Sequence, residues 1–313
     1  MKVYIPNNSQ QSVGGGWSFM RNIGRALAPH GVSFVNTWQE CDVVLIVGVT
    51  MTRTGEIEEA KKAGKSIIFR VDNVPRKSRN SRNTPHERMQ DFARLADVVI
   101  YQSEWAKEYC MPLCGDGTVI YNGVDTDVFK KPEKKPKDPV YLFMYHGRSE
   151  LKQFWLAHYY FQMVHRVSRE AEFWFTYEFK RELGELQDAN FDFWNGEPYI
   201  HMPIQPTPEA VANVMQKATH FICPYTVEAA PNTLLEALHC GLMVVGMVEM
   251  DGVSVGGVRE YLKLFEDGYD FSLQRMGDEY FGLMRVIINS NNQHDVMYVP
   301  TQGENIVEGG AQA

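Results

Sequence analysis

Glu228-Ala229-Ala230-Pro231-Asn232-Thr233-Leu234-Leu235-Glu236-Ala237-Leu238-His239-Cys240-Gly241-Leu242-Met243-Val244-Val245 is the stretch from which the fold is read. Asn232 to His239 carries Leu234, Leu235, Ala237 and Leu238 at helical spacing, and Gly241 just past its end supplies a helix stop. An apolar run, Met243 to Gly246, follows, and another, Phe221 to Cys223, precedes. Strand, loop, helix and strand in that order form one unit of a parallel sheet covered by helices. Glu228 falls in the loop. Glu236 falls inside the apolar helix, where a carboxylate needs a partner or a ligand; a structural role and a ligand contact both fit.

The same alternation runs through the chain. Lys2 to Pro6 reads as a first strand, followed by Gly14-Gly15-Gly16 and a helix marked by Phe19, Met20, Ile23, Ala26 and Leu27 up to Pro29. Val43 to Val47, Ser66 to Phe69, Val98 to Tyr101 and Val119 to Tyr121 are further strands, separated by helices such as Glu56 to Ala63 and His86 to Leu95. Ser103 is placed to cap the helix after Tyr101. From Lys130 to Pro139 the sequence is charged and proline-punctuated with nothing apolar to bury, which makes it a linker. Beyond it the expected elements are a strand Val140 to Tyr145, a helix beginning near Lys152, a strand Phe173 to Tyr177, a helix Pro208 to Lys217 and a last helix Asp278 to Asn289. The tail from Gln302 is polar and glycine-rich, with fraying expected. The whole predicts an α/β protein with two Rossmann-like doubly wound lobes.

Size and composition agree. A chain of 313 residues suits two lobes, and 44% hydrophobic with 22% charged residues is an ordinary globular balance. A net charge of −8 argues against adhesion to nucleic acid through the whole surface but permits a local basic patch. Cys41, Cys110, Cys114, Cys223 and Cys240 are scattered, odd in number and mostly in apolar stretches, as expected of reduced core thiols in the cytoplasm. No stretch approaches the ~18 apolar residues of a membrane span, and the start lacks the apolar region of a secretion signal.

In doubly wound sheets ligands bind beyond the carboxyl ends of the strands. Gly14-Gly15-Gly16 opens a helix there, and glycines let the backbone and the helix N-terminus approach an anion. After Tyr145 comes His146-Gly147-Arg148-Ser149-Glu150-Leu151-Lys152, two cations beside a glycine and suited to clamping a diphosphate. Arg70, Arg76, Lys77, Arg79, Arg82 and Arg88 gather near the end of the Ser66 strand, a patch that points to an anionic partner.

Taken together, four pieces resemble the retaining glycosyltransferases of the GT-B fold, family 4. They are Glu228 and Glu236 with seven residues between them, Tyr121-Asn122-Gly123-Val124-Asp125, the Gly147-Arg148 and Lys152 clamp, and the triple glycine, spread over most of residues 1 to 250. The resemblance implies an acceptor-side domain 1–129, a linker 130–139, a nucleotide-sugar-binding domain 140–275 and a C-terminal helix and tail 276–313. It implies that Glu228 contacts hydroxyls of the transferred sugar, Glu236 binds the nucleotide ribose, Arg148 and Lys152 hold the diphosphate, and Gly15 and Gly16 let the first lobe close on it. Asn122, Gly147, Ala229, Ala230, Pro231, Asn232 and Thr233 complete the nucleotide-sugar site. The family often has Gly after the first Glu, where this chain has Ala229, and often a His near the end of the fourth strand, where it has Arg70-Val71-Asp72-Asn73. Asp72 is therefore the candidate for sugar or acceptor contact. Arg148 and Lys152 also stand closer together than is common in the family.

The activity implied is transfer, with retention, of a sugar from a nucleotide-diphosphate donor to a hydroxyl, with no metal and no cofactor beyond the nucleotide sugar. Arg76, Lys77, Arg79 and Arg82 suit an anionic acceptor: a phosphorylated glycan or lipid carrier, a sugar phosphate, or DNA bearing a hydroxymethylated base. A nucleotide-sugar isomerase or hydrolase of the same fold, and a catalytically dead sugar-nucleotide-binding module, are the competing readings. A dinucleotide-dependent dehydrogenase is disfavoured, because the G-x-G-x-x-G fingerprint and its acidic partner are missing.

Overall fold

The computed structural model describes residues 1–7, 15–49, 52–72, 74, 85–145, 153–176, 195–203, 205, 207–225, 228–247 and 256–296. They form two six-stranded sheets. The first runs in the order β2-β1-β3-β4-β5-β6, with β1 Lys2–Tyr4, β2 Ser33–Val35, β3 Val43–Ile46, β4 Ser66–Arg70, β5 Val98–Tyr101 and β6 Thr118–Val119. Every pairing in it is parallel. All four residues of β3 and all five of β4 are buried, so these strands lack the polar alternation of a one-sided sheet. Their faces are covered by α1 (Gly15–Leu27), α2 (Thr54–Lys62), α3 (Pro85–Leu95) and α4 (Glu104–Cys114). Ser103 caps α4 as expected, its Oγ accepting from the Ala106 amide at 3.0 Å.

The second sheet has the order β12-β11-β7-β8-β10-β9. Its strands are β7 Val140–Met144, β8 Glu172–Thr176, β9 Asn195–Gly196, β10 Tyr199–His201, β11 His220–Ile222 and β12 Met243–Val245. Only β9 runs antiparallel to its neighbour. Around it lie α5 (Phe154–Val167), α6 (Pro208–Met215), α7 (Asn232–His239) and α8 (Gly257–Glu266). Phe143, Phe154, Phe161, Phe173 and Phe175 are fully buried in its core, their rings tilted, edge-on or offset against one another. All five cysteines are buried. Burial pushes the thiol of Cys41 up to about 11 and those of Cys110, Cys114 and Cys240 up to about 12.

Strand order fixes where each sheet can hold a ligand. In the first sheet the order reverses between β1 and β3, so the crevice opens beyond their carboxyl ends, where the chain leads into the N-terminus of α1. In the second it reverses between β7 and β11. The carboxyl ends of β7 and β11, and the starts of α5 and α7 that follow them in sequence, therefore flank one crevice.

α9 (Leu273–Val296) departs from expectation. It is longer than the helix read from sequence, and it packs into the first lobe. Met276, Tyr280, Met284 and Ile287 share one core with Val3, Phe19, Ile23 and Leu27. Gly277 makes the close approach of α9 to α1 possible: a Cβ there would lie 2.2 Å from the Ala26 carbonyl oxygen. Gly277→Ala must push the helices apart and is expected to destabilise the protein by about 1–3 kcal/mol. Urea unfolding measures this, and an unchanged midpoint would contradict the packing.

Candidate functional site

Three strand ends of the first sheet and one loop of the second meet in a single constellation. β5 runs into Gln102 and Ser103, β6 leads to Asn122 and Gly123, and β4 ends at Arg70 before Val71 and Asp72. Facing them is the segment Glu228–Pro231 and the start of α7. Ser103 Oγ donates to the Ala229 carbonyl at 2.9 Å. Asn122 Nδ2 donates to Asn232 Oδ1 at 2.8 Å, and Asn232 Nδ2 donates to the Gly15 carbonyl at 3.4 Å. On its other side the Gly257 amide donates to the Glu228 carbonyl at 3.1 Å. Only glycine fits at position 257, since a Cβ would lie 1.8 Å from the Ala229 carbonyl oxygen.

Five residues read from sequence, Gly15, Asn122, Glu228, Ala229 and Asn232, are thus tied into one hydrogen-bonded seam, with Thr233 next along α7. Ala229 and Ala230 bury their methyl groups, one in the core of each lobe, and Pro231 is buried as well. What these three can offer a ligand is backbone. Gly16 lies in the first turn of α1 beside Gly15. Gly147, Arg148 and Lys152, and likewise Arg76, Lys77, Arg79 and Arg82, lie outside the described residues.

Two members of the basic patch are corrected. Arg70 is 2% exposed, and its Nη2 donates to Gln102 Oε1 at 2.6 Å and to Asn122 Oδ1 at 3.0 Å. Its guanidinium lies 3.7 Å over the centre of the Phe19 ring. Burial lowers its pKa, opposed by Tyr280 and Asp72. Arg88 is partly buried and donates to the Thr52 carbonyl. Neither is a surface cation free to meet an acceptor. Asp72 is half-buried at the mouth of β4, and Gly48 makes room for it, because a Cβ at 48 would lie 2.8 Å from Asp72 Oδ2.

The helix N-termini are also informative. α4 and α6 are capped by Ser103 and Thr207. α5 and α7, which follow β7 and β11 at the second sheet's switch point, have no side-chain cap and no acidic residue in the first turn. Their first-turn N–H groups and partial positive charge face the crevice side of the sheet, an arrangement that favours an anion.

Glu236 lies one turn into α7, half-buried, with Leu235 and Ala237 buried on either side. Among the described residues no hydrogen bond reaches its carboxylate. Burial pushes its pKa up to about 7, and Arg21 of α1 pulls the other way. Sequence reasoning misses Arg21; its only signal is the helical spacing that puts it one turn before Arg25, which pairs with Asp125 and lies 3.9 Å from Glu209. The α1 surface that faces the second lobe is cationic.

No protein-family model matches the sequence, and no curated protein does. Solved structures match its fold. Sucrose-phosphate synthase from Thermosynechococcus elongatus aligns with a TM-score of 0.62 over 95% of this chain and 98% of that one, at 12% identity. HepE of Anabaena, in complex with UDP-glucose, gives 0.59 over 95% and 100%, at 13% identity. An alpha-glucosyltransferase in complex with UDP and a 13-mer DNA containing an HMU base gives 0.55 over 92% and 99%, at 12% identity. The architecture is the GT-B fold of glycosyltransferases, two Rossmann-like lobes facing a cleft.

The raised pKa of Glu236 makes a stability prediction. Its ordinary value is 4.5 and its folded value about 7, so between these the folded state holds the proton more tightly and stability falls as pH rises. Glu236→Gln removes that slope. The variant should match wild type near pH 4.5 and be more stable at pH 8, by up to about 3 kcal/mol. Urea unfolding at both pH values decides it; identical slopes would refute the raised pKa of Glu236.

Proposed function

We propose that this protein is a retaining glycosyltransferase, akin to family 4, that moves a sugar from a nucleotide-diphosphate donor to a hydroxyl acceptor. The observation that carries this reading is the second sheet's switch point. Two uncapped helix N-termini start there, one following the Gly147-Arg148 segment and the other carrying Glu236 a turn from its start. A diphosphate meets backbone N–H groups and the cations of Arg148 and Lys152 there, while the ribose diol has a carboxylate to donate to. The full-length likeness to HepE in complex with UDP-glucose adds support for a uridine nucleotide.

In this scheme Gly147, Arg148 and Lys152 bind the diphosphate, Glu228 takes hydroxyls of the sugar, and Ala229 to Thr233 line the seat with backbone. Gly15, Gly16 and Asn122 close it from the first lobe, and Asp72 faces the sugar or the acceptor. Negative charge grows on the diphosphate as the glycosidic bond breaks, so the cationic clamp and helix termini stabilise the transition state more than the ground state. The leaving phosphate oxygen takes the acceptor's proton on the same face, so no separate base is required. The nucleotide sugar is the only small molecule in the scheme, with neither metal nor cofactor. The domains are 1–129 and 140–275, hinged at 130–139.

The acceptor is proposed to be anionic, met by Arg76, Lys77, Arg79 and Arg82. A glycan, a sugar phosphate and DNA with a hydroxymethylated base all fit that chemistry; the DNA-bound alpha-glucosyltransferase of the same fold lends weight to the last. A cytoplasmic setting is part of the proposal, in keeping with the five buried cysteines; separately, no described helix is long and apolar enough to cross a membrane.

Thermal shift against uridine, guanosine, adenosine and thymidine diphosphate sugars tests the reading. A nucleotide sugar at ~100 times its dissociation constant should stabilise the wild type by about 2.7 kcal/mol, and Glu236→Ala should lose most of that gain. If all four leave the wild type unshifted, the nucleotide-sugar assignment fails.

A further inference from the structure

Arg70 is a buried cation whose described hydrogen-bond acceptors include two neutral amide oxygens, Gln102 Oε1 at 2.6 Å and Asn122 Oδ1 at 3.0 Å. A guanidinium has donors only. Both amides must therefore turn their oxygens towards it, and the Asn122 nitrogen also donates to the Gln102 Oε1 that Arg70 holds, at 3.2 Å. The Gln102 nitrogen then donates to the Val71 carbonyl at 2.8 Å, which holds the strand end next to Asp72. The Asn122 nitrogen is aimed at the second lobe, where it donates to Asn232 Oδ1 at 2.8 Å. With its oxygen taken, Asn232 has its nitrogen left to donate to the Gly15 carbonyl at 3.4 Å. Each amide's direction follows from the one before it. The polarity of the whole chain, from the core of one lobe to the start of α7 and back to the Gly15 turn, is set by a residue 2% exposed.

The first links are well anchored. Asn122 is 2% exposed, its amide donates to Tyr261 Oη at 3.0 Å, and its carbonyl accepts from Arg275 Nη2 at 3.1 Å. Tyr261 Oη in turn donates to the Gln102 carbonyl at 2.7 Å. The last link is the longest, 3.4 Å, and it lies in an exposed setting. A seam that is rigid at its root and weak at its tip opens at the tip.

We propose that Arg70 is a positioning residue: through the enforced orientation of Asn122 it holds Asn232 and the Glu228–Pro231 segment against the Gly15 turn, and so sets how tightly the cleft closes. In what it means for turnover the proposal rests on the nucleotide-sugar reading, whereas the latch itself does not need a ligand.

Two variants separate the latch from simple stability. In Asn122→Asp the carboxylate still accepts from Arg70, now as an ion partner, but donates to nothing. Asn232 must flip to donate to it, which turns its oxygen on the Gly15 carbonyl. In Asn232→Asp the link from Asn122 survives, a carboxylate at the first position of α7 suits the helix dipole, and only the donation to Gly15 is lost. Amide hydrogen exchange on the full chain without ligand is the measurement. Both variants should speed exchange at residues 15–18 and 229–234 by roughly fivefold, the effect of one lost hydrogen bond, while β4 and α9 keep wild-type protection. The double variant, which sets two carboxylates face to face with no donor between them where each single keeps one, should exchange faster than either single one. Unchanged exchange in these segments, or faster exchange throughout the first lobe, overturns the proposal. Calorimetric titration with uridine diphosphate, run separately, should show weaker binding by both variants; failure of the wild type to bind would count against the nucleotide reading and leave the latch decided by exchange.

Discussion

A guanidinium can only donate, and the one at Arg70 has no solvent to donate to. Taking such an ion out of water costs several kcal/mol unless its surroundings replace the hydration. Here the replacement comes from the Phe19 ring face and from the oxygens of Gln102 and Asn122. Those groups come from α1 and from the segments after β5 and β6, so satisfying one charge fixes three elements at the rim of the first sheet. Phe19 also lies in the core that α9 completes, in tilted contact with Tyr280 at 5.8 Å between centroids. The burial that lifts the Tyr280 hydroxyl to about 12 keeps it neutral beside the cation. A helix from the far end of the chain is thereby bound up with the electrostatics of the cleft.

The second lobe meets this rim through small residues. Ala229 packs into the first lobe's core and the Asn122–Asn232 side chains bridge the lobes, while Gly257, behind the loop in the second lobe, leaves room for the Ala229 carbonyl. The loop between β11 and α7 consequently belongs to both lobes: Ala229 sits in the core of the first and Ala230 in that of the second. The fold puts this shared loop at the place where strand order reverses in the second sheet, which is where doubly wound sheets take their ligands.

Much of this is legible in the sequence, and the failures share a physical cause. β5 at Val98–Tyr101 and α7 at Asn232–His239 fall where pattern places them, because buried β-branched runs and an apolar helix followed by glycine are local signals. β2, β9 and β10 have no such signal: they are two or three residues long, with Ser33 exposed at the start of β2 and Tyr199, Ile200 and His201 half-buried in β10. They are strands because a neighbour pairs with them. The docking of α9 on α1 is a long-range fact marked only by Gly277. Arg70 misleads for the same reason. Adjacency in sequence groups it with Arg76, Lys77 and Arg79, whereas its place as the last residue of a fully buried strand is what turns it inward. Gly48 and Arg21 carry little signal in the sequence because each acts on a partner, Asp72 and Glu236, that the fold brings from elsewhere.

Glu236 shows the opposite treatment of a buried charge. Arg70 has two oxygens on its Nη2, although its buried Nε has no acceptor among the described residues; Glu236 has a raised pKa, with the field of Arg21 from α1 to offset its burial. A helix that needed only to pack would place an apolar residue there. Local rules broken without compensation are expected where function requires it, and a hydroxyl pair donating to this carboxylate would supply what the protein's own groups withhold. Such a ligand favours the ionised form, so its binding expels the proton that Glu236 holds near neutral pH. The cationic face of α1 then strengthens its hold on the same carboxylate. In the proposed reading, filling the site and drawing the lobes together are coupled through that single charge: the burial cost that Glu236 carries by itself is recovered when the cleft is occupied.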